Sequence, residues 1–186
     1  MPFFCRNPPS GGEEPIYRKD FKIIIMTFTL KGYIFATNRN FHVHSNVTEG
    51  MIKEAIFNEI DNILCLIEQG ETNISITHDF GFTIGFAHCV KCPPKSQGVY
   101  FSRRGQRPYL SRMVKGVSPQ ETSQITIVLR FRPSSNTFYI ISSWTGSQSK
   151  PELGNINYFE HCQDPMKEII ESAEFWLNHA LIVEND

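Results

Sequence analysis

Acidic residues are nearly missing from one long stretch of this chain. Between Phe80 and Lys150 there is a single acid, Glu121, against ten Lys or Arg, so that stretch carries +9. The remainder holds eight bases and eighteen acids, a balance of −10, so the net charge of −1 hides a strongly polarised molecule. Long apolar runs are also missing. The longest, Ile23 to Leu30, contains two Thr and falls far short of the about 20 residues that cross a bilayer. The N-terminus lacks the order of basic residues, apolar stretch and small-residue cleavage site that marks a secretory signal. Five Cys make an odd number without a regular framework, which disfavours a disulfide scaffold and reads as reduced thiols in a cytoplasmic protein. No Walker loop, dinucleotide fingerprint, nucleophile elbow or zinc-protease helix occurs, so no cofactor is expected.

What is present suggests a loosely held arm over residues 1–19, with four Pro and two Gly, followed by one α+β domain over 20–186. Phe21 to Leu30, Tyr33 to Thr37 and Phe41 to His44 read as strands, with Lys31-Gly32 as a turn. Thr48 is a good N-cap, and Ile52, Ile56, Ile60, Ile63 and Ile67 then recur at helical spacing until Gly70. Asn73 to Thr77, Phe82 to Val90 and Val99 to Arg104 read as shorter strands. Gln124 to Arg132 alternates cleanly, and turn chemistry at 133–136 returns it as Thr137 to Trp144. Asp164-Pro165 opens a second helix, whose buried stripe is expected to be Met166, Ile169, Ala173, Trp176 and Ala180. This order predicts an α+β fold: a curved antiparallel sheet with two main helices packed on it.

The basic stretch concentrates Arg103, Arg104, Arg107, Arg112 and Lys115 among Tyr100, Phe101 and Tyr109. Guanidinium forks suit phosphate oxygens and aromatic rings suit unstacked bases. The plain alternative is a solvated face, or an internal partner for acids such as Glu168, Glu171 and Glu174. Because Phe101 is the better core residue, alternation sends Arg103 inward or to the sheet margin, where it is expected to be more buried and paired with a carboxylate or backbone carbonyls. Alternation leaves Arg104, with Arg112, to line an anion site joined by Arg107, Lys115 and Tyr109. Ser111-Arg112 is expected to begin a short helical turn ending at Gly116.

Acid–base chemistry would fall to His88 or His179, with Ser143 in a hydroxyl-rich strand end. A His at a helix C-terminus and a Ser satisfying backbone groups are the structural alternatives. His42 and His44 share a face but have no third metal ligand nearby. Cys89-x-x-Cys92 supplies two of the four ligands a structural zinc needs, and the other candidates, His161-Cys162, are adjacent residues that rarely ligate one ion together; Pro93-Pro94 bars the helix a redox motif needs, so no metal site is expected.

The runs Val99 to Arg107, Leu110 to Gly116, Ile125 to Leu129 and Phe138 to Gly146, with the ending Phe175 to Leu181, resemble small bacterial proteins grouped with the barnase/EndoU/colicin/RelE-type ribonuclease fold. The resemblance covers roughly residues 80–182. It implies a curved antiparallel sheet and RNA cleavage without metal, in which a base takes the 2′-OH proton and cations hold the extra charge. The cations would be Arg103, Arg104, Arg107 or Arg112, and the acid or base His88 or His179. The resulting expectation is an RNA-binding protein with a metal-independent cleaving activity. Its alternative is a non-enzymatic module whose basic face takes an acidic protein or a second copy of itself.

Overall fold

The computed structural model describes residues 21–22, 24–44, 46–103 and 109–183; the arm expected over 1–19 and the residues 104–108 lie outside them. The main sheet is built from β1 (Phe21–Lys22), β2 (Thr27–Leu30), β3 (Tyr33–His44), β4 (Asn73–Asp79), β10 (Gln124–Arg132) and β11 (Thr137–Thr145). Its strand order is β1-β3-β11-β10-β4, with β2 paired to β3. Lys31 and Gly32 both take positive φ and close a two-residue hairpin between β2 and β3. Asn136, also at positive φ, ends the β10–β11 turn, and its side-chain amide donates to Gly32 O at 2.8 Å, so the two turns brace each other.

Helix α1 (Glu49–Glu68) crosses from β3 to β4 and buries Ile52, Ala55, Ile56, Ile60 and Ile63. Thr48 caps it by accepting from Met51 N, and Gly70, at φ +91°, lies just beyond its end. Against this face lie Ile74 and Ile76 of β4 and Ile125, Ile127 and Leu129 of β10. Beside them on the same face, Phe28, Phe35 and Phe138 stack ring on ring, at 5.2 and 4.8 Å between neighbours.

This topology corrects the expected antiparallel architecture. β11 runs parallel to β3, so the sheet is mixed, and its strand order is open, neither curled nor closed. The cause is the α1 crossover. A helix returning over a sheet leaves β3 and β4 pointing the same way. The β10–β11 hairpin is inserted between them, and its two strands are antiparallel to each other, so one of its two junctions must be parallel.

A second, four-stranded sheet has the order β6-β12-β8-β7: β6 (Cys89–Lys91), β12 (His179–Ile182), β8 (Leu110–Val114) and β7 (Val99–Arg103). It too is mixed, because β12 is parallel to β8. The helical turn expected from Ser111-Arg112 to Gly116 is corrected: Leu110–Val114 is a strand, held by β7 on one side and β12 on the other. Val90, Cys92, Val114, Ala180 and Ile182 form its small core. The short pair β5 (Gly85–Ala87) and β9 (Gln120–Thr122) lies against the main sheet, where Thr145 Oγ1 donates to Phe86 O at 2.7 Å.

The helices number three among the described residues: α1, the single turn α2 (Ile156–Phe159) and α3 (Pro165–Asn178), which Asp164 caps through Lys167 N. The expected α3 stripe is corrected. Only Ser172 and Trp176 of this helix are buried, and Met166 and Ile169 face solvent. The indole of Trp176 donates to the carbonyls of Lys150 and Pro151, which fixes the helix to the segment before α2. No helix of the described residues is long and apolar enough to cross a membrane.

Candidate nucleic-acid interface

The densest part of the basic stretch folds as the antiparallel pair β7–β8. Across it Val99 faces Val114, Tyr100 faces Met113, Phe101 faces Arg112, Ser102 faces Ser111 and Arg103 faces Leu110. The base of the pair depends on Gly98. Its φ is +76°, and a Cβ there would lie 2.8 Å from Lys115 O, while its own carbonyl accepts from Lys115 N. Lys115 then places its ammonium 5.2 Å from the centre of the Tyr100 ring, a cation–π contact. Partial burial of that ring pushes the Tyr100 phenol above its ordinary value.

The two arginines of the pair exchange their expected places. Arg112 is only 6% exposed. Its guanidinium donates to Cys92 O and, at 2.7 and 3.2 Å, to His179 O and Pro93 O. A buried guanidinium needs such partners, and β8 lies between two other strands, where carbonyls are at hand. Arg103 instead lies on β7, the edge of the sheet, and is exposed. Phe101, expected in the core, is 63% exposed, and Leu110 opposite Arg103 is exposed as well. Alternation puts Phe101, Arg103 and Leu110 on one face, at the end of the pair that leads into residues 104–108. The residues that follow Arg103, with Arg104 and Arg107 among them, lie outside the described residues.

The other expected site residues are dispersed. Ser143 is fully buried, and its hydroxyl donates to Thr126 O at 3.0 Å. His88 sits at the bend between β5 and β6, and its carbonyl accepts from Ile182 N. Tyr109 is half-buried, with its Cβ against Gly154. His179 closes α3 and opens β12. Its ring lies flat on Phe175, 4.1 Å between centres and 4° between planes, with Nδ1 2.9 Å from Phe175 O. A carbonyl can only accept, so Nδ1 is the donor in this contact, which fixes the tautomer. His88 and His179 are three strand positions apart along the β6–β12 pair, about 10 Å, and do not converge.

A buried acid went unseen in the sequence. Glu152 is 8% exposed and accepts from the hydroxyl of Ser111, which is itself fully buried. Forty-one residues separate them, and only the fold of the 150–156 segment under α3 brings them together. Cys89 is half-buried on β6 and Cys92 lies in the small core; among the described residues no three His, Cys, Asp or Glu side chains gather as metal ligands. Compared with known proteins, the chain matches no family model, no curated relative and no solved structure.

Proposed function

We propose that this protein binds single-stranded RNA on the β7–β8 pair, at the Phe101–Arg103 end. One observation carries the reading: Phe101 is a large aromatic ring left uncovered beside Arg103 on the same face of an edge strand. An exposed ring offers every base a stacking surface, worth about 1–3 kcal/mol per base, and a neighbouring guanidinium meets the phosphate that follows. Arg104 and Arg107 follow directly in the sequence and add charge. A basic face alone would serve an acidic protein equally well. The uncovered ring is what favours a ligand with bases.

Cleavage is the second reading, and the fixed tautomer of His179 favours it. Binding comes first because the two features lie apart. Phe101 shares a face with Arg112, whereas His179 shares the opposite face with Met113, through Leu181. The imidazole therefore does not point at the ring.

The test is equilibrium binding of a short labelled oligoribonucleotide, competed with unlabelled oligonucleotide and with inorganic polyphosphate. Base stacking predicts that the oligonucleotide competes far better per phosphate. Equal competition would leave only a charged face. Incubation of the same RNA in EDTA, with the wild-type protein and His179→Ala, tests cleavage. Loss of cutting in the variant supports the second reading, and an intact RNA in both rejects it.

A further inference from the structure

We propose that α3 carries a self-association surface, on which the α3 of a second copy lies antiparallel. Met166, Ile170 and Leu177 are 66%, 53% and 57% exposed, and half-buried Ala173 lies between the last two. Their spacings of 4, 3 and 4 put all four in one narrow stripe, about 60° wide at 100° per residue. None of them serves the inward side of the helix, which is Ser172 and Trp176. The apolar surface continues beside the stripe through exposed Ile169 to Leu153 and Ile156.

The stripe reads the same in both directions. A two-fold axis across its middle therefore sets Met166 against Leu177 of the second copy and Ile170 against Ala173, with no layer out of step. The charges beside it complete the argument. Lys167 follows Met166 and Glu174 follows Ala173, so the two lie on the same flank, seven residues apart. Antiparallel pairing brings like flanks together and places Lys167 of each copy near Glu174 of the other, twice by symmetry. A parallel pair would bring that flank against the opposite one and lose both contacts. Both side chains are exposed and available for this. Lys167 reaches Glu171 only at 3.9 Å, and Glu171 is already held by Lys150. Three acids, Glu168, Glu171 and Glu174, also make α3 a poor surface for RNA, so this surface stands independently of the RNA reading. A single pair of four-turn helices is a small interface, and the dimer is expected to be weak and concentration-dependent.

Sedimentation equilibrium over a wide concentration range, with the full chain, tests the proposal. A monomer–dimer equilibrium is expected, abolished by Ile170→Glu and, as a second variant, by Leu177→Gln. Both residues are exposed in the monomer, so circular dichroism melts should match the wild type. Lys167→Glu and Glu174→Lys should each weaken the dimer roughly tenfold, because two attractive pairs become repulsive. The double variant Lys167→Glu/Glu174→Lys restores opposite charges and should recover most of the affinity. A protein that stays monomeric at every concentration overturns the proposal. So does a dimer that ignores the stripe variants, or a double variant no better than the single ones.

Discussion

Arg112 donates to the backbone carbonyl of His179 across the small sheet, at 2.7 Å. Together with its bonds to Cys92 O and Pro93 O, this makes one guanidinium the tie between β8, the end of β6 and the start of β12. Arg112→Ala would leave three carbonyls without that donor, the Cys92 carbonyl in a buried place and the other two partly buried. A loss of about 3 kcal/mol is expected, read as a lower urea midpoint. Lys carries one point charge in place of a fork, so Arg112→Lys should recover only part of it. RNA affinity measured on the folded fraction should not change in either variant.

Gly98 and Gly116 give a matched pair of backbone tests. Both take positive φ, +76° and +74°, but a Cβ at Gly98 would meet Lys115 O, whereas one at Gly116 would meet nothing within 4 Å. Gly116→Ala should cost about 1 kcal/mol for its conformation alone. Gly98→Ala adds a backbone collision and should cost clearly more, measured by denaturant unfolding of both. Equal costs would mean that the strands part freely at this end.

Lys150 and Glu171 form an ion pair that fixes the 150–152 segment to α3. The hydrogen bond from Lys150, and then its charge, hold the Glu171 carboxyl below its ordinary value. The hydrogen bond to Glu171 in turn raises Lys150, against some desolvation. For a lowered acid, the stability is present above the unfolded value and is lost as pH falls through the folded one. For a raised base, it is present below the unfolded value and is lost as pH rises through the folded one. The pair therefore supports the fold across the middle of the pH range and fails at both ends. Lys150→Met should flatten the profile of melting temperature against pH at the acid and alkaline extremes alike. A variant that falls off at both ends as the wild type does would remove the pair from the account.

Where residues act locally, the sequence was readable. Thr48 and the isoleucines of α1 mark a helix because capping and a 3.6-residue period need only near neighbours. The β10–β11 hairpin is written in its own alternation, with Ile125, Ile127 and Leu129 all inward. The parallel contact of β11 with β3 is not local. Nothing in either strand states its partner, and the direction follows only from the α1 crossover. The candidate interface shows the same limit. Alternation correctly separates Phe101 from Tyr100, but coverage varies along a single face: Phe101 shares its face with buried Arg112 and Val114 and is itself exposed on the edge strand. Glu152 and Ser111 carry no sequence signal of their pairing at all.

The most direct measurement is RNA affinity as a function of salt for the wild type, Phe101→Ala and Arg103→Ala. Stacking is insensitive to salt and phosphate contact is not, so the two variants should fail differently. Phe101→Ala should lose about 5- to 150-fold in affinity at every salt concentration, with the slope of log affinity against log salt unchanged. Arg103→Ala should lower the magnitude of that slope by about 0.7, as expected for one phosphate contact on a single strand. Both should melt with the wild type, since both side chains are exposed. Wild-type affinity in Phe101→Ala, over the whole salt range, would contradict the account.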